Sequence, residues 1–276
     1  MKFAPVSARW TTPLGIACWL FACLPAMAED VIPDNHALRD EFFIAIGGYL
    51  PSASTDMRLD SATLGVGANV NFEETLGLDE RKLAPEFLAR WRFGERWRME
   101  AEFFRLDRSG TKTLNGTLQV GDKVYSVNEE LNSSFNISVT RVSVGYSFFK
   151  TRDKEFGVAI GAHVTDIDAS LNGSIVGSEN ASALAPLPVL SLYSQIALTD
   201  EWSFGARFDY FALEIDQYRG SISSLGLDLQ YQPFRHLGFG LGIRTLDIQL
   251  EAEKSDFNGK IETRFNGPIL YLNTSF

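Results

Sequence analysis

Hydrolysis by side chains needs a nucleophile with a base in reach, and the base is most often a histidine steered by a carboxylate. The chain has three histidines. His36 and His236 fall in stretches that read as a leader and a turn, so His163 is the candidate base, with Thr165 two positions on and Asp166 and Asp168 following. No nucleophile motif accompanies it, and a histidine satisfied inside the fold is the plainer reading. Three dispersed histidines and two cysteines, Cys18 and Cys23, do not make a zinc-type ligand set, and no metal or other cofactor is expected. Glu73-Glu74 and Asp79-Glu80 flank Leu76-Gly77-Leu78; such a cluster could hold a divalent cation, but a solvated loop is the plainer reading. Gly65-Val66-Gly67 and the glycines at 238, 240 and 242 lack the strand-turn-helix setting of a phosphate loop. The latter three read as space-making strand glycines.

The densest set of chemical groups is ionic. Glu86, Arg90 and Arg92 recur at even positions of one segment, and Arg98, Glu100 and Glu102 at even positions of the next. Arg207, Asp209, Asp228 and Arg244 form a second set on three later segments. Opposite charges on one face can line a constriction that selects small solutes, or can pair and fill a narrow interior. The second use is favoured, because a small barrel has room for little besides side chains.

Those spacings matter only if the segments are strands, and period two is the dominant pattern from Glu41 onward. Trp202, Phe204, Ala206, Phe208 and Tyr210 share one face, with Ser203, Gly205, Arg207 and Asp209 on the other. Leu225, Leu227, Leu229 and Tyr231 repeat the arrangement, as do Leu237, Phe239, Leu241 and Ile243 opposite Gly238, Gly240, Gly242 and Arg244. Ten segments follow, near 41–55, 83–94, 97–107, 135–149, 155–168, 186–198, 202–215, 222–233, 237–250 and 261–276. Eight or twelve remain open. The alternation changes phase between Val139 and Val142 and between Ile243 and Leu246, which predicts a bulge at each place. Stretches 57–74 and 111–132 also alternate, as expected of hairpins continuing beyond a bilayer.

A soluble sandwich and an outer-membrane barrel share this pattern but turn the apolar face in opposite directions. Three features favour the membrane. Tight connections at Gly94-Glu95-Arg96, 150–154, Thr199-Asp200-Glu201 and 233–236 alternate with longer polar stretches near 57–82, 108–133, 169–184, 216–220 and 251–260. Trp91, Trp97 and Trp202 stand beside tight connections, joined by Phe93, Phe148, Phe149, Phe156, Phe204, Tyr231, Phe234 and Phe239, as in an interfacial girdle. The segment Gly267-Pro268-Ile269-Leu270-Tyr271-Leu272-Asn273-Thr274-Ser275-Phe276 is similar to the closing strand of Gram-negative outer-membrane proteins, which implies that Phe276 is a barrel-closing signal read by the barrel-assembly machinery.

Composition agrees. A formal charge of −10 without a cationic block argues against nucleic acid. A hydrophobic content of 45% excludes disorder. Residues 1–28 read as a signal peptide, with Lys2 and Arg9, an apolar run from Leu14 to Leu24 and a cleavage site at Ala26-Met27-Ala28. A lipidated Cys23 is the competing reading, opposed by the bulk of Phe21. Residues 29–40 then form a short periplasmic leader and 41–276 one domain.

Glu73 through Asp79, with Leu76-Gly77-Leu78-Asp79, then Trp91-Arg92-Phe93-Gly94 and the run to Asp107-Arg108-Ser109-Gly110, resembles a group of small proteobacterial outer-membrane β-barrel proteins. The resemblance spans most of the chain after the leader and implies fold and location, without a catalytic residue. The expectation is therefore an all-β, transmembrane, antiparallel up-and-down barrel in the Gram-negative outer membrane, in contact with the bilayer and lipopolysaccharide, with a structural or narrow-pore role. The alternatives are an enzyme acting on lipid at the rim and an adhesin-like protein binding through its loops.

Overall fold

The computed structural model describes residues 32–61, 67–120, 123–215, 218–254 and 257–276. The expected signal peptide and its cleavage site lie outside the described residues, as does Gly65-Val66. In chain order the elements are α1 (His36–Arg39), β1 (Phe42–Tyr49), β2 (Ser52–Ser61), β3 (Gly67–Asn71), α2 (Phe72–Leu76), β4 (Ala84–Phe93), β5 (Trp97–Thr113), β6 (Leu118–Val120) and β7 (Lys123–Tyr125). There follow β8 (Glu130–Lys150), β9 (Lys154–Gly173), β10 (Gly177–Ala197), β11 (Trp202–Ile215), β12 (Tyr218–Tyr231), β13 (Gly238–Lys254) and β14 (Phe257–Ser275).

Ten strands form a closed antiparallel ring in the order β1-β4-β5-β8-β9-β10-β11-β12-β13-β14, with β14 returning to β1 from Phe43↔Ser275 to Tyr49↔Ile269. The expected strand over 41–55 is broken at Leu50-Pro51, where proline removes a ladder donor and restricts the residue before it. It continues as β2 along the first half of β14, from Ser52↔Asn266 to Ser61↔Phe257. Gly267 permits this crossing: a Cβ there would lie 2.1 Å from the Leu50 carbonyl oxygen. The β2–β3 and β6–β7 hairpins stand at the end of the barrel remote from Phe276, here called distal. The opposite, proximal end carries α1, the tight turns and Phe276.

Two expectations need correction. The polar stretches 169–184 and 251–260 are largely strand, as are the flanks of 108–133, because β5, β8, β9, β10, β13 and β14 run well past the segments read from the sequence. Nor is there a bulge at either change of phase. The β5–β8 ladder is unbroken from Trp97↔Tyr146 to Thr113↔Glu130, and β13–β14 from Gly238↔Asn273 to Lys254↔Phe257. Odd residues of β8 point inward from Leu131 to Ser147: Phe135, Ile137 and Val139 distally, then Arg141, Ser143 and Ser147, all buried. The β8–β9 register shifts only beyond that, between Tyr146 and Phe149, and Phe149 is exposed. What changes is the chemistry of the two faces. Proximally the outward face is apolar and the inward face polar; distally Arg105, Asp107, Asp166 and Asp168 point out while Leu106, Ile137 and Ile167 point in.

The outward apolar band covers about nine residues per strand, as in Phe156–Val164 of β9 and Trp202–Tyr210 of β11. With strands tilted by about 40°, that length rises roughly 20–25 Å, the height of a hydrocarbon layer. Trp91, Trp97 and Trp202 are exposed on its proximal rim, where Trp202 stacks on Tyr231 at 4.5 Å and Phe42 on Phe276 at 5.5 Å. Among the described residues no helix is long and apolar enough to cross a membrane.

Both ends are occupied. Pro33–Asp40, expected as a leader, packs against the proximal mouth with Ala37 and Leu38 buried on Ala197. The Asn35 amide donates to the Thr199 carbonyl at 2.9 Å, and Asp40 accepts from Ser275 Oγ at 2.7 Å and Arg235 Nη1 at 3.0 Å. Distally, α2 sets Phe72 edge-on against Phe135 and ends at Gly77, whose φ of +71° favours glycine. The buried side chains Leu76 and Leu78 flank that cap, which gives Leu76-Gly77-Leu78 a packing role.

Candidate functional site

All ten charged positions singled out from the sequence face the interior, on β4, β5, β11, β12 and β13. Arg90 Nε donates to Glu100 Oε1 at 2.7 Å, and Arg98 lies 3.3 Å from the same oxygen. Arg207 Nη1 contacts Glu102 Oε2 at 2.7 Å, and its Nε lies 3.3 Å from Asp209 Oδ2. Arg244 grips Asp228 with both Nη atoms at 3.0 Å and lies 3.7 Å from Glu86. The two-pronged geometry is one a guanidinium makes and an ammonium does not.

Two members of the network were missed. Arg141 on β8 joins the halves, with Nη2 at 2.9 Å from Glu100 and 3.4 Å from Glu102. Glu155 on β9 accepts from Arg92 Nη2 at 3.0 Å and from Ser147 Oγ at 2.6 Å. Arg141 continues the parity of Phe135, Ile137 and Val139, so its inward direction was readable, had that parity been carried through the change of phase. Glu155 was hidden by its nearness to the tight turn at 150–154. With these two, Arg90, Arg92, Arg98, Arg141, Arg207 and Arg244 face an equal number of carboxylates. Neutral groups complete the packing: Gln195 accepts from Arg90 and Arg92, and Arg98 lies over the Tyr193 ring at 3.1 Å.

The inward glycines make this possible. A Cβ on Gly157 would come 2.2 Å from the Tyr193 hydroxyl, and one on Gly240 would come 2.0 Å from Tyr271 Cζ. The two tyrosines lie flat on strands without side chains. The space left among Glu86, Arg98, Asp228, Gln230 and Arg244 is a cavity of about 40 Å³, room for roughly three water molecules. Above the charges, Tyr49, Phe104, Leu106, Ile137, Val139, Leu246 and Phe265 occupy the cross-section, all buried, and leave a second cavity of about 20 Å³ between Tyr49, Phe104, Val139, His163 and Leu246.

His163 is an interior histidine with a carboxylate partner from another strand. His163 and Thr165 are buried inside, but Asp166 and Asp168 point outward and are exposed. The carboxylate partner of His163 is Asp209, with Nε2 and Oδ2 3.3 Å apart. In the acidic loop, Glu73 pairs with Arg108 and accepts from the Thr55 N–H at 3.0 Å. No group of three or more His, Cys, Asp or Glu among the described residues could hold a metal ion.

These features define a transmembrane β-barrel: a closed antiparallel ring, an apolar belt of hydrocarbon height and a charged interior. No protein-family model matches the chain, and no curated protein matches it in sequence. Among solved structures it is similar to the outer membrane protease OmpT from Escherichia coli, at 9% identity and a TM-score of 0.56, over 85% of this chain and 97% of that one. The outer membrane protein OprG from Pseudomonas aeruginosa matches at 12% identity and a TM-score of 0.41, over 88% and 99%. The Pseudomonas putida toluene transporter TodX matches at 10% identity and a TM-score of 0.35, over 88% and 93%. The likeness to OmpT is one of fold.

Proposed function

We propose that this is an integral protein of the Gram-negative outer membrane with a structural role, a barrel whose interior is packed shut. The carrying observation is the occupied cross-section: paired charges in the belt, an apolar layer from Phe104 to Phe265 above them, and residual cavities of only about 40 and 20 Å³. A solute path would have to break ion pairs and part the apolar layer together. In this reading residues 1–28 are the export signal, cut after Ala28. Phe276, which exchanges backbone hydrogen bonds with Phe42 at 2.9 and 3.0 Å, is the strand end offered to the assembly machinery. The bilayer and lipopolysaccharide are the surroundings of the belt and of the charged outward face above it.

Conductance in planar bilayers tests the reading. The protein is expected to give no stepwise currents at moderate voltage, and Arg207→Ala is expected to stay silent because the apolar layer is untouched. Steps from the unmodified protein that change in Arg207→Ala or Glu100→Ala would establish the narrow pore instead. Cleavage of phospholipid or lipid A that is lost in His163→Ala would establish the rim enzyme.

A further inference from the structure

The wall is not hydrogen-bonded along its whole height. The β10–β11 ladder runs from Ala197↔Ser203 to Leu190↔Tyr210 and stops. Beyond that point β10 keeps its ladder with β9 as far as Gly177↔Gly173, and β11 keeps its ladder with β12 as far as Ile215↔Tyr218. A seam therefore opens between two strands that are each paired on their other side.

The cause is in the sequence. Pro186 and Pro188, two residues apart and so on one edge of β10, have no N–H to donate. Both keep register with β9, opposite Val164 and Ala162, so the missing donors belong to the β11 side. The seam begins within the apolar belt, since Ile160, Ala162 and Val164 on the adjoining strand are belt residues. The side chains that flank its first part are uncharged: Leu184, Pro186, Pro188 and Leu190 point out from β10, and Tyr210 and Ala212 from β11. Leu213 has the parity that elsewhere on β11 points inside, yet it is 43% exposed. Between Pro186 and Leu190 the floor is closed. Leu187 and Val189 are buried beneath, and Leu187 reaches β12, where a Cβ on Gly220 would lie 3.3 Å from its Cδ2.

We propose that this seam is a groove for one acyl chain of an outer-leaflet lipid. A peptide strand is a poor occupant, because adding a strand needs donors along the edge and the two prolines remove them. A hydrocarbon chain needs none, and the groove is continuous with the surface already in contact with hydrocarbon. The inference rests on the membrane placement above. It does not depend on whether the barrel conducts, because Leu187 and Val189 lie between this part of the groove and the interior.

Native mass spectrometry of the full protein purified from membranes into mild detergent provides the test, with retained lipid identified by mass. About one acyl lipid per chain is expected, phospholipid or glycolipid according to its mass. Pro186→Val with Pro188→Val restores donors to the β10 edge and is expected to lower retained lipid about tenfold, roughly what two buried methylenes are worth. Should that pair prevent folding, Leu190→Trp fills the groove without altering the ladder and is expected to give the same loss. Ile160→Trp on the adjoining belt is expected to retain lipid as the unmodified protein does. Absence of retained lipid, a retained peptide, or equal retention in the groove-filled variant would overturn the proposal; with bilayer recordings still silent, such a result would leave the closed-barrel reading standing.

Discussion

Arg141 illustrates how the interior holds together and what its loss would do. Its side chain is 1% exposed and touches Glu100 and Glu102, so Arg141→Ala leaves one buried carboxylate in excess of the remaining guanidiniums, and an uncompensated buried charge typically costs about 3–5 kcal/mol. Arg105 pairs with Asp107 at 2.9 Å, but both are more than half exposed, and exposed pairs contribute at most about 1 kcal/mol. Urea unfolding of the two variants in lipid vesicles should therefore show a large fall for Arg141→Ala and almost none for Arg105→Ala; equal falls would mean that the interior pairs are solvated. Gly240→Ala drives a methyl into the Tyr271 ring and should cost about 1–3 kcal/mol, less when combined with Tyr271→Ala, in a double-mutant cycle. Ten of these charged residues were legible because they alternate with large apolar side chains. Arg141 was not, because its distal neighbours of like parity are themselves apolar. Asp209 was placed inside from the sequence, but its pairing with His163 joins β9 to β11 across a strand, which local spacing does not reveal.

At the scale of elements, the ten strand centres were readable and their distal ends were not. Hydropathy marks which face of a strand meets apolar surroundings, and on β8, β9 and β13 that face changes partway while the backbone stays regular. Read locally, the change looks like a slipped register; in the barrel it marks the level where the surroundings pass from oil to water. The distal hairpins are fixed by different means. Burial would push the Glu129 carboxyl up, but N–H donation from Ile175, Val176 and Ser126 outweighs it and holds the group below the usual range. A depressed folded value means that the clip's contribution is fully present above the ordinary glutamate value of about 4.3 and fades as pH falls through the lower folded one. Limited proteolysis within 114–129 should be unchanged from pH 7 to 5 and rise below about pH 4. Glu129→Ala should show the raised cleavage at neutral pH, and an unchanged digestion pattern would mean that other contacts hold the hairpin. At the proximal end, Asp40→Ala removes the acceptor shared by Ser275 and Arg235 and should speed hydrogen exchange in 33–40 while leaving the strands protected.

For the molecule as a whole, one chain builds two kinds of barrel in series, oil outside and charge inside at the proximal end, water outside and oil inside at the distal end. The sequence carried the fold class because alternation survives in both halves, but the place of exchange required the strand pairing. Spin labels on β13 test this directly, since Ile243 and Asp247 share one outward face four residues apart, and Ile243 is 55% exposed. In the chain from Glu29 onward, which contains no cysteine, nitroxides at Ile243→Cys and Asp247→Cys in vesicle-inserted protein should behave oppositely. The label at 243 should collide with oxygen and be shielded from a water-soluble nickel chelate, and the label at 247 should show the reverse. Equal access of the chelate to both positions would contradict the assignment of the proximal apolar face to lipid.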